Sequence, residues 1–390
     1  MGLKKAAYVA TVYSHINAFH LPFLQDLREK GCEVHVYACP DHTFEDVRAT
    51  GVDCRSVPFS RSPFSPDNVR AFKQLKKAFE SERYDLVHVH TPNASVICRL
   101  AARFAGLDRI VYTAHGFHFF KGAPLANWLL YYPVERLMAR WTDALVTINR
   151  EDYERASTFP LRGEAVYMPG VGIDLSRYRE LEPERLAVKR KELGIAENDF
   201  VLLCVAELNG NKNQTQLLRS VRQLKDEGVP VKAILAGTGD SEELYRRLAE
   251  ELGVREETLF LGFRKDVPEL INIADVLVLL SRREGLPKAL LEAIGIGRPM
   301  VVTNVRGSAD LVRHGENGFI VPIGDVPATT EALLSLHRDP AARLKMGANG
   351  KSGASQYDLQ AIQADMRGLY ERLRLRKERQ PKNKVNEDLR

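Results

Sequence analysis

No run of eighteen or more apolar residues occurs in the 390-residue chain, so no helix of it is predicted to span a bilayer. The start, MGLKKAAYVATVYSHINAF, sets two lysines before an apolar run, as a secretion signal does. That run is short and is interrupted at Ser14, His15 and Asn17, so it reads as a first buried strand. Cysteine is scarce: Cys32, Cys39, Cys54, Cys98 and Cys204 make an odd set with no CxxC spacing. This argues against a disulfide framework and fits packed thiols in a reduced, cytoplasmic protein. No GxGxxG follows the first strand, which disfavours a dinucleotide dehydrogenase. Internal repeats, low-complexity segments and nucleic-acid-binding patterns are also lacking.

Charge is concentrated at one end. From Arg372 to Arg390 there are eight basic and three acidic residues, which accounts for the whole net charge of +5. The tail RLRLRKERQPKNKVNEDLR is either a solvated segment or one drawn to an anionic membrane. Elsewhere short apolar runs alternate with amphipathic stretches: AAYVATVY, CEVHVYA, YDLVHVHT and RIVYTAHG in the first half, FVLLCVAEL, VKAILAGTG, TLFLGF, DVLVLLS, PMVVTN and GFIVP in the second. Strands buried on both faces with helices between them predict an α/β fold of two doubly wound parallel sheets. The strand-poor stretch 168–200 separates the halves, with the boundary placed near Pro183. The domains are therefore predicted at 1–182 and 183–357, followed by a helix over 358–375 that packs back on the first domain and a basic tail over 376–390. Ligands are expected at the strand C-termini, in a cleft between the two domains.

Four strand-to-helix corners in the second half carry candidate chemistry. In SRREGLPKALLEA, Glu284 is predicted in a loop, Pro287 as the first helical residue, and Glu292 a turn and a half inside the helix. The glutamates complement the helix dipole or flank a ligand whose phosphate meets the free amides at 285–288. AELNGNKNQTQLL places Lys212 at a helix start, which an intervening anion favours; otherwise it is a solvated lysine. AGTGD at 236–240 and LGFRKDVPELI at 261–271 are the other corners.

The E-x7-E of EGLPKALLE, with ADVLVLLSRREGLP, GRPMVVTNVRGSADLV and GENGFIVP over roughly 270–325, resembles the retaining glycosyltransferases of family 4, which have the GT-B fold. FLQDLREKGCEVHVYA, YDLVHVHTP and VYTAHGFH extend the resemblance to the N-terminal half, most closely to bacterial exopolysaccharide and capsule members. The resemblance implies that Glu284 binds hydroxyls of the donor sugar and that Gly285, Leu286 and Pro287 line the sugar and diphosphate. Glu292 would bind the ribose, Lys212 would neutralise the leaving diphosphate, and Gly262 and Phe263 would flank the base. His115 would face the reacting sugar from the N-terminal domain. It further implies no cofactor and no metal, with lysine and helix-end amides taking the charge role of a magnesium ion. Two departures stand out: Glu207 replaces the arginine usual after the strand, and YSHINAFH replaces a Gly-Gly loop, so that Ser14 and His15 shape the acceptor side together with His90.

His88 and His90 face one side of a strand, but no acidic or cysteine partner is evident, so no metal is expected there. His20, His42 and His118 read as packing or loop residues. In NVRAFKQLKKAF, residues 68–79, Val69, Phe72, Leu75 and Phe79 form an apolar inner face with basic residues between them, a surface helix or a docking helix for an anionic membrane. PLANWLLYYPVERLMARW, 124–141, adds Trp128, Tyr131 and Tyr132, either core or interfacial. The chain is thus expected to be a metal-independent hexosyl- or N-acetylhexosaminyltransferase. It would move a sugar from a UDP-linked donor to a glycan, such as an undecaprenyl-diphosphate-linked saccharide, at the inner face of the cell membrane. The alternatives are a UDP-sugar 2-epimerase of the same fold and a non-catalytic nucleotide-sugar-binding scaffold.

Overall fold

The computed structural model describes residues 2–60 and 62–379. The predicted alternation forms two sheets whose strand pairings are all parallel. The first contains β1 (Lys5–Val12), β2 (Glu33–Cys39), β3 (Asp53–Ser56), β4 (Leu86–His90), β5 (Ile110–Ala114), β6 (Ala144–Thr147) and β7 (Glu164–Tyr167) in the order 3-2-1-4-5-6-7. The second contains β8 (Phe200–Val205), β9 (Val231–Ala236), β10 (Thr258–Gly262), β11 (Val276–Leu279), β12 (Met300–Thr303) and β13 (Gly318–Val321) in the order 10-9-8-11-12-13. Central strands such as LVHVH of β4 and VLVL of β11 are buried throughout, because helices cover both faces of each sheet. In each sheet the order reverses beside the first strand, between β1 and β4 and between β8 and β11. Loops leaving the carboxyl ends of these strand pairs diverge to opposite faces, and ligands of open α/β sheets bind there.

Two compact units result, one of Met1–Val171 with the chain from Gln360 on, the other of Gly172–Leu359. The division falls before Pro183. Residues after Val171 pack with the second unit: Ile173 and Tyr178 lie in its core, and Asn272 Oδ1 accepts from Leu181 N at 3.0 Å. Ile173 also exchanges backbone bonds with the other end of that unit, donating to Tyr357 O at 2.9 Å and accepting from Leu359 N at 2.8 Å. The last helix, Leu359–Arg379, is held to the first unit. Its Gln363 donates to Pro22 O, Arg367 pairs with Asp26, and Tyr370 OH meets His88 Nδ1, at 2.8, 2.8 and 2.6 Å. The basic tail beyond Arg379 lies outside the described residues.

Two helical expectations change in detail. The helix Asp67–Glu82 buries Ala71, Leu75 and Phe79, one face at four-residue spacing. Val69, about 200° around the helix from Ala71, is 57% exposed and not part of the inner face. Trp128, Tyr131 and Tyr132 of the helix Leu125–Ala139 pack partly buried against the core of the first unit.

Candidate active site

In the second unit the loops after β8 and β11 meet at the strand-order reversal. Asn213 adopts a left-handed backbone (φ 55°), which asparagine tolerates better than most residues. Its side-chain amide donates to Leu280 O at 3.1 Å. Arg282 N donates to Asn211 O at 2.7 Å, and Asn211 Nδ2 to Arg283 O at 3.0 Å. These bonds bring Lys212 and Glu284, 72 residues apart in sequence, into an ion pair of 2.5 Å between Nζ and Oε1. The same carboxylate oxygen accepts from Ser281 Oγ at 2.6 Å. Glu284 is buried, whereas Lys212 keeps about a fifth of its side chain in solvent.

The helix after Glu284 runs Lys288–Ile296, with Pro287 as its N-cap rather than its first helical residue. At ψ 119° Pro287 is still extended, so the first-turn amides that lack a carbonyl within the helix begin at Lys288. Glu292 lies buried on this helix, its Oε1 accepting from Tyr178 OH at 2.6 Å, with Lys288 Nζ at 3.6 Å. Burial holds its carboxyl above the usual range, partly offset by the tyrosine bond. Glu207, in place of the expected arginine, is exposed, where an acid carries little desolvation cost. Gly262 (φ 64°) accepts at its carbonyl from Gly237 N at 2.8 Å, and the adjoining Phe263 ring is 74% exposed. A Cβ at Gly239 would stand 2.3 Å from Leu208 O, so the AGTGD turn requires glycine to lie against the loop that carries Lys212.

The first unit gathers a different set at its own reversal point. His15 lies on the helix Tyr13–Phe19 that follows β1, His20 just beyond that helix, His90 at the end of β4 and His115 directly after β5. His15, His90 and His115 therefore lie together, and His20, expected to be packing, joins them. Ring centroids lie 3.9 Å apart for His20–His90 and 4.6 Å for His15–His115. His90 Nδ1 is 3.3 Å from His115 Nε2. Burial pushes His15 down to about 4 and the other three well below the ordinary imidazole value. Ser14 is tied instead to Asp41, whose Oδ2 accepts from its backbone N at 2.8 Å. His88 has both ring nitrogens engaged, by Tyr370 OH at 2.6 Å and Thr113 Oγ1 at 2.8 Å, which makes it a structural residue.

Two family models match the chain, "Glycosyltransferase Family 4" over residues 23–177 and "Glycosyl transferases group 1" over 187–353. The Bacillus subtilis protein named "Putative glycosyltransferase EpsD" is 41% identical over 94% of this chain and 96% of its own length. The chain is a family 4 glycosyltransferase. It is also similar to the Escherichia coli UDP-Gal:alpha-D-GlcNAc-diphosphoundecaprenol alpha-1,3-galactosyltransferase, 28% identical over 77% of each chain. Its fold is GT-B: the crystal structure of Anabaena HepE in complex with UDP and glucose superimposes with a TM-score of 0.79 at 20% identity, covering 95% of this chain and 100% of that one.

Three further residues stand at this candidate site without a role legible in the sequence. Ser281 stands inside the quoted block but carries no motif role. Tyr178 lies 114 residues from Glu292, in a stretch read as linker. Arg306, whose Nε donates to Glu284 O at 3.2 Å, follows β12 inside the quoted GRPMVVTNVRGSADLV, where it carries no assigned role. That loop rests on the segment expected to line the sugar: a Cβ on Gly307 (φ 75°) would stand 2.2 Å from Gly285 O. Gly307→Ala is therefore expected to displace Gly285 and Leu286 and to cost about 1–3 kcal/mol in backbone strain. Isothermal titration with UDP-sugars, beside thermal melts, checks it; unchanged donor affinity would show that this loop does not shape the site.

Proposed function

We propose that this glycosyltransferase moves a sugar from a UDP-sugar to a lipid-diphosphate-linked saccharide with retention of anomeric configuration, in the assembly of a cell-surface polysaccharide. The observation that carries the donor side is the Lys212–Glu284 pair at the strand-order reversal of the second sheet. Without substrate the ammonium and carboxylate satisfy each other. A nucleotide-diphosphate sugar offers each a better-matched partner: diphosphate oxygens for Lys212 and the first-turn amides near Lys288, sugar hydroxyls for Glu284. Glu292, buried and already oriented by Tyr178, suits the ribose hydroxyls, and Gly262 with the exposed Phe263 ring suits the base. The donor and acceptor named for the E. coli relative support the same substrate classes.

In this reading the acceptor hydroxyl attacks the anomeric carbon from the face that the diphosphate leaves. The anomeric carbon–phosphate oxygen bond breaks as the bond to the acceptor oxygen forms, and the departing phosphate takes the acceptor proton. Lys212 and the helix-end amides stabilise the charge that develops on the diphosphate, with no metal ion required for that task. A glycosyl adduct trapped on any side chain would overturn this path. The deciding experiment incubates the protein with a panel of UDP-sugars, with and without a polyprenyl-diphosphate saccharide. Acceptor elongation is the expected result; a UDP-sugar isomerised without acceptor would make it an epimerase, and binding without turnover a scaffold.

Among the described residues no helix is long and apolar enough to cross a membrane. A lipid-linked acceptor requires another route to the bilayer, and the helix Leu125–Ala139 offers one. Its inner face packs Trp128, Tyr132 and Met138 toward the core. Its opposite side leaves Leu125 and Leu129 more than 70% exposed, with Leu130, Val134 and Leu137 beside them. Such a face buries in the acyl boundary of a membrane, and Arg136 and Arg140 on the same segment suit anionic headgroups. The double substitution Leu125→Asp, Leu129→Asp is expected to abolish co-sedimentation with anionic liposomes and leave UDP binding intact. Equal sedimentation of variant and parent would remove this helix from membrane docking.

A further inference from the structure

We infer that His15, His20, His90 and His115 form a site for a divalent transition metal ion of the zinc class in the first unit. One ring nitrogen from each can be chosen so that all four lie within 4.8 Å of one another. The 3.3 Å between His90 Nδ1 and His115 Nε2 matches the ligand–ligand edge of about 3.3–3.4 Å in a tetrahedral site with Zn–N bonds of about 2.0–2.1 Å. The Nε2 atoms of His15 and His20 are buried and have no hydrogen-bond partner, whereas a packing histidine satisfies its ring nitrogens as His88 does. His20 is almost wholly inaccessible, so its orphan nitrogen points to a ligand inside the cluster. Imidazole donors without thiolate or carboxylate suit zinc, copper and nickel over magnesium or calcium.

The sequence offered no metal site because His90 has no nearby acid or cysteine. Its partners are three other histidines, brought in when β1, β4 and β5 become neighbours. An ion there would clip the Tyr13–Phe19 helix and its flank to the ends of β4 and β5, ordering the segment that replaces the family's Gly-Gly loop. The ion would take His115 from the sugar-facing role that the resemblance implies, whereas the diphosphate role proposed for Lys212 lies in the other unit and is tested separately.

The test uses the untagged full chain, stripped with chelator and titrated with Co2+ and then Zn2+. We expect one Co2+ per chain with the intense visible absorption of tetrahedral nitrogen ligation, displaced by one equivalent of Zn2+. Zinc should raise the melting temperature of the parent in proportion to occupancy and leave that of His20→Gln unmoved. His20→Gln and His90→Gln should each weaken Co2+ binding by more than the roughly 10–100-fold that loss of an outer partner costs. The exposed His42→Gln should bind as the parent does. The parent titration alone can decide against the site if a variant misfolds. Absence of Co2+ uptake, the weak absorption of octahedral cobalt, or folded variants that bind as tightly as the parent would each overturn the assignment.

Discussion

Glu284→Gln is expected to lower sugar transfer by roughly 10²–10³-fold, the cost of removing one preorganised electrostatic group, while UDP continues to bind. Glutamine keeps the shape of the side chain, and its amide oxygen can still accept from Ser281 Oγ, now 2.6 Å from the carboxylate. What it lacks is the charge that holds Lys212 Nζ at 2.5 Å and that, in the function proposed above, meets the hydroxyls of the incoming sugar. Lys212, released from its partner and still partly solvated, becomes more available to diphosphate. Affinity for UDP should therefore be unchanged or tighter, and the loss should appear in turnover of the UDP-sugar. Lys212→Met should show the opposite pattern, with weaker UDP binding. The two residues touch, so their effects should not add, and a double-mutant cycle measures the coupling. Calorimetry with UDP and single-turnover transfer assays check both; unchanged turnover in Glu284→Gln would remove Glu284 from the site.

The second large effect concerns the helix that carries the exposed apolar face. Glu135, on its inner side, accepts from Arg99 Nη2 at 2.8 Å. Arg99 is fully buried on the helix Pro92–Phe104, donates to Ser95 O at 3.1 Å, and lies 4.5 Å from the Tyr112 ring centroid. Glu135→Ala leaves that guanidinium buried without its carboxylate. Breaking such a pair costs about 3–5 kcal/mol, a fall in melting temperature on the order of 10 °C for a unit of this size. Glu135→Gln, which still offers an acceptor, should lose less. Denaturant melts distinguish them; a Glu135→Ala variant as stable as the parent would mean that Arg99 is held by its other contacts. Because the pair joins two helices, its loss should also loosen the face that includes Leu125 and Leu129, seen as faster hydrogen exchange over 125–139.

Much of the architecture was legible from residue order. Apolar runs of strand length, alternating with amphipathic segments, have few solutions other than parallel sheets covered on both faces. EGLPKALLE pointed to its own strand end, because a loop glutamate, a Gly-Leu-Pro break and an apolar helix all belong to one local turn. The unit boundary was not legible: Ile173 and Tyr178 lie in a stretch with no strand period, and only their packing assigns them to the second unit. Pro287, expected as the first helical residue, is the N-cap, since a proline can equally close the preceding extended segment.

The sequence by itself determined the element types, the two doubly wound halves and the E-x7-E corner, because each rests on periodicity or on residues within a few positions of one another. Only the tertiary structure decided which distant residues share a site. Sheet order 3-2-1-4-5 makes β1, β4 and β5 neighbours and so collects His15, His20, His90 and His115 from three separate segments. Order 9-8-11 does the same for Lys212 and Glu284. It also decided which side of Leu125–Ala139 meets solvent, because a helix apolar on nearly every side shows no preferred face until the core has claimed one.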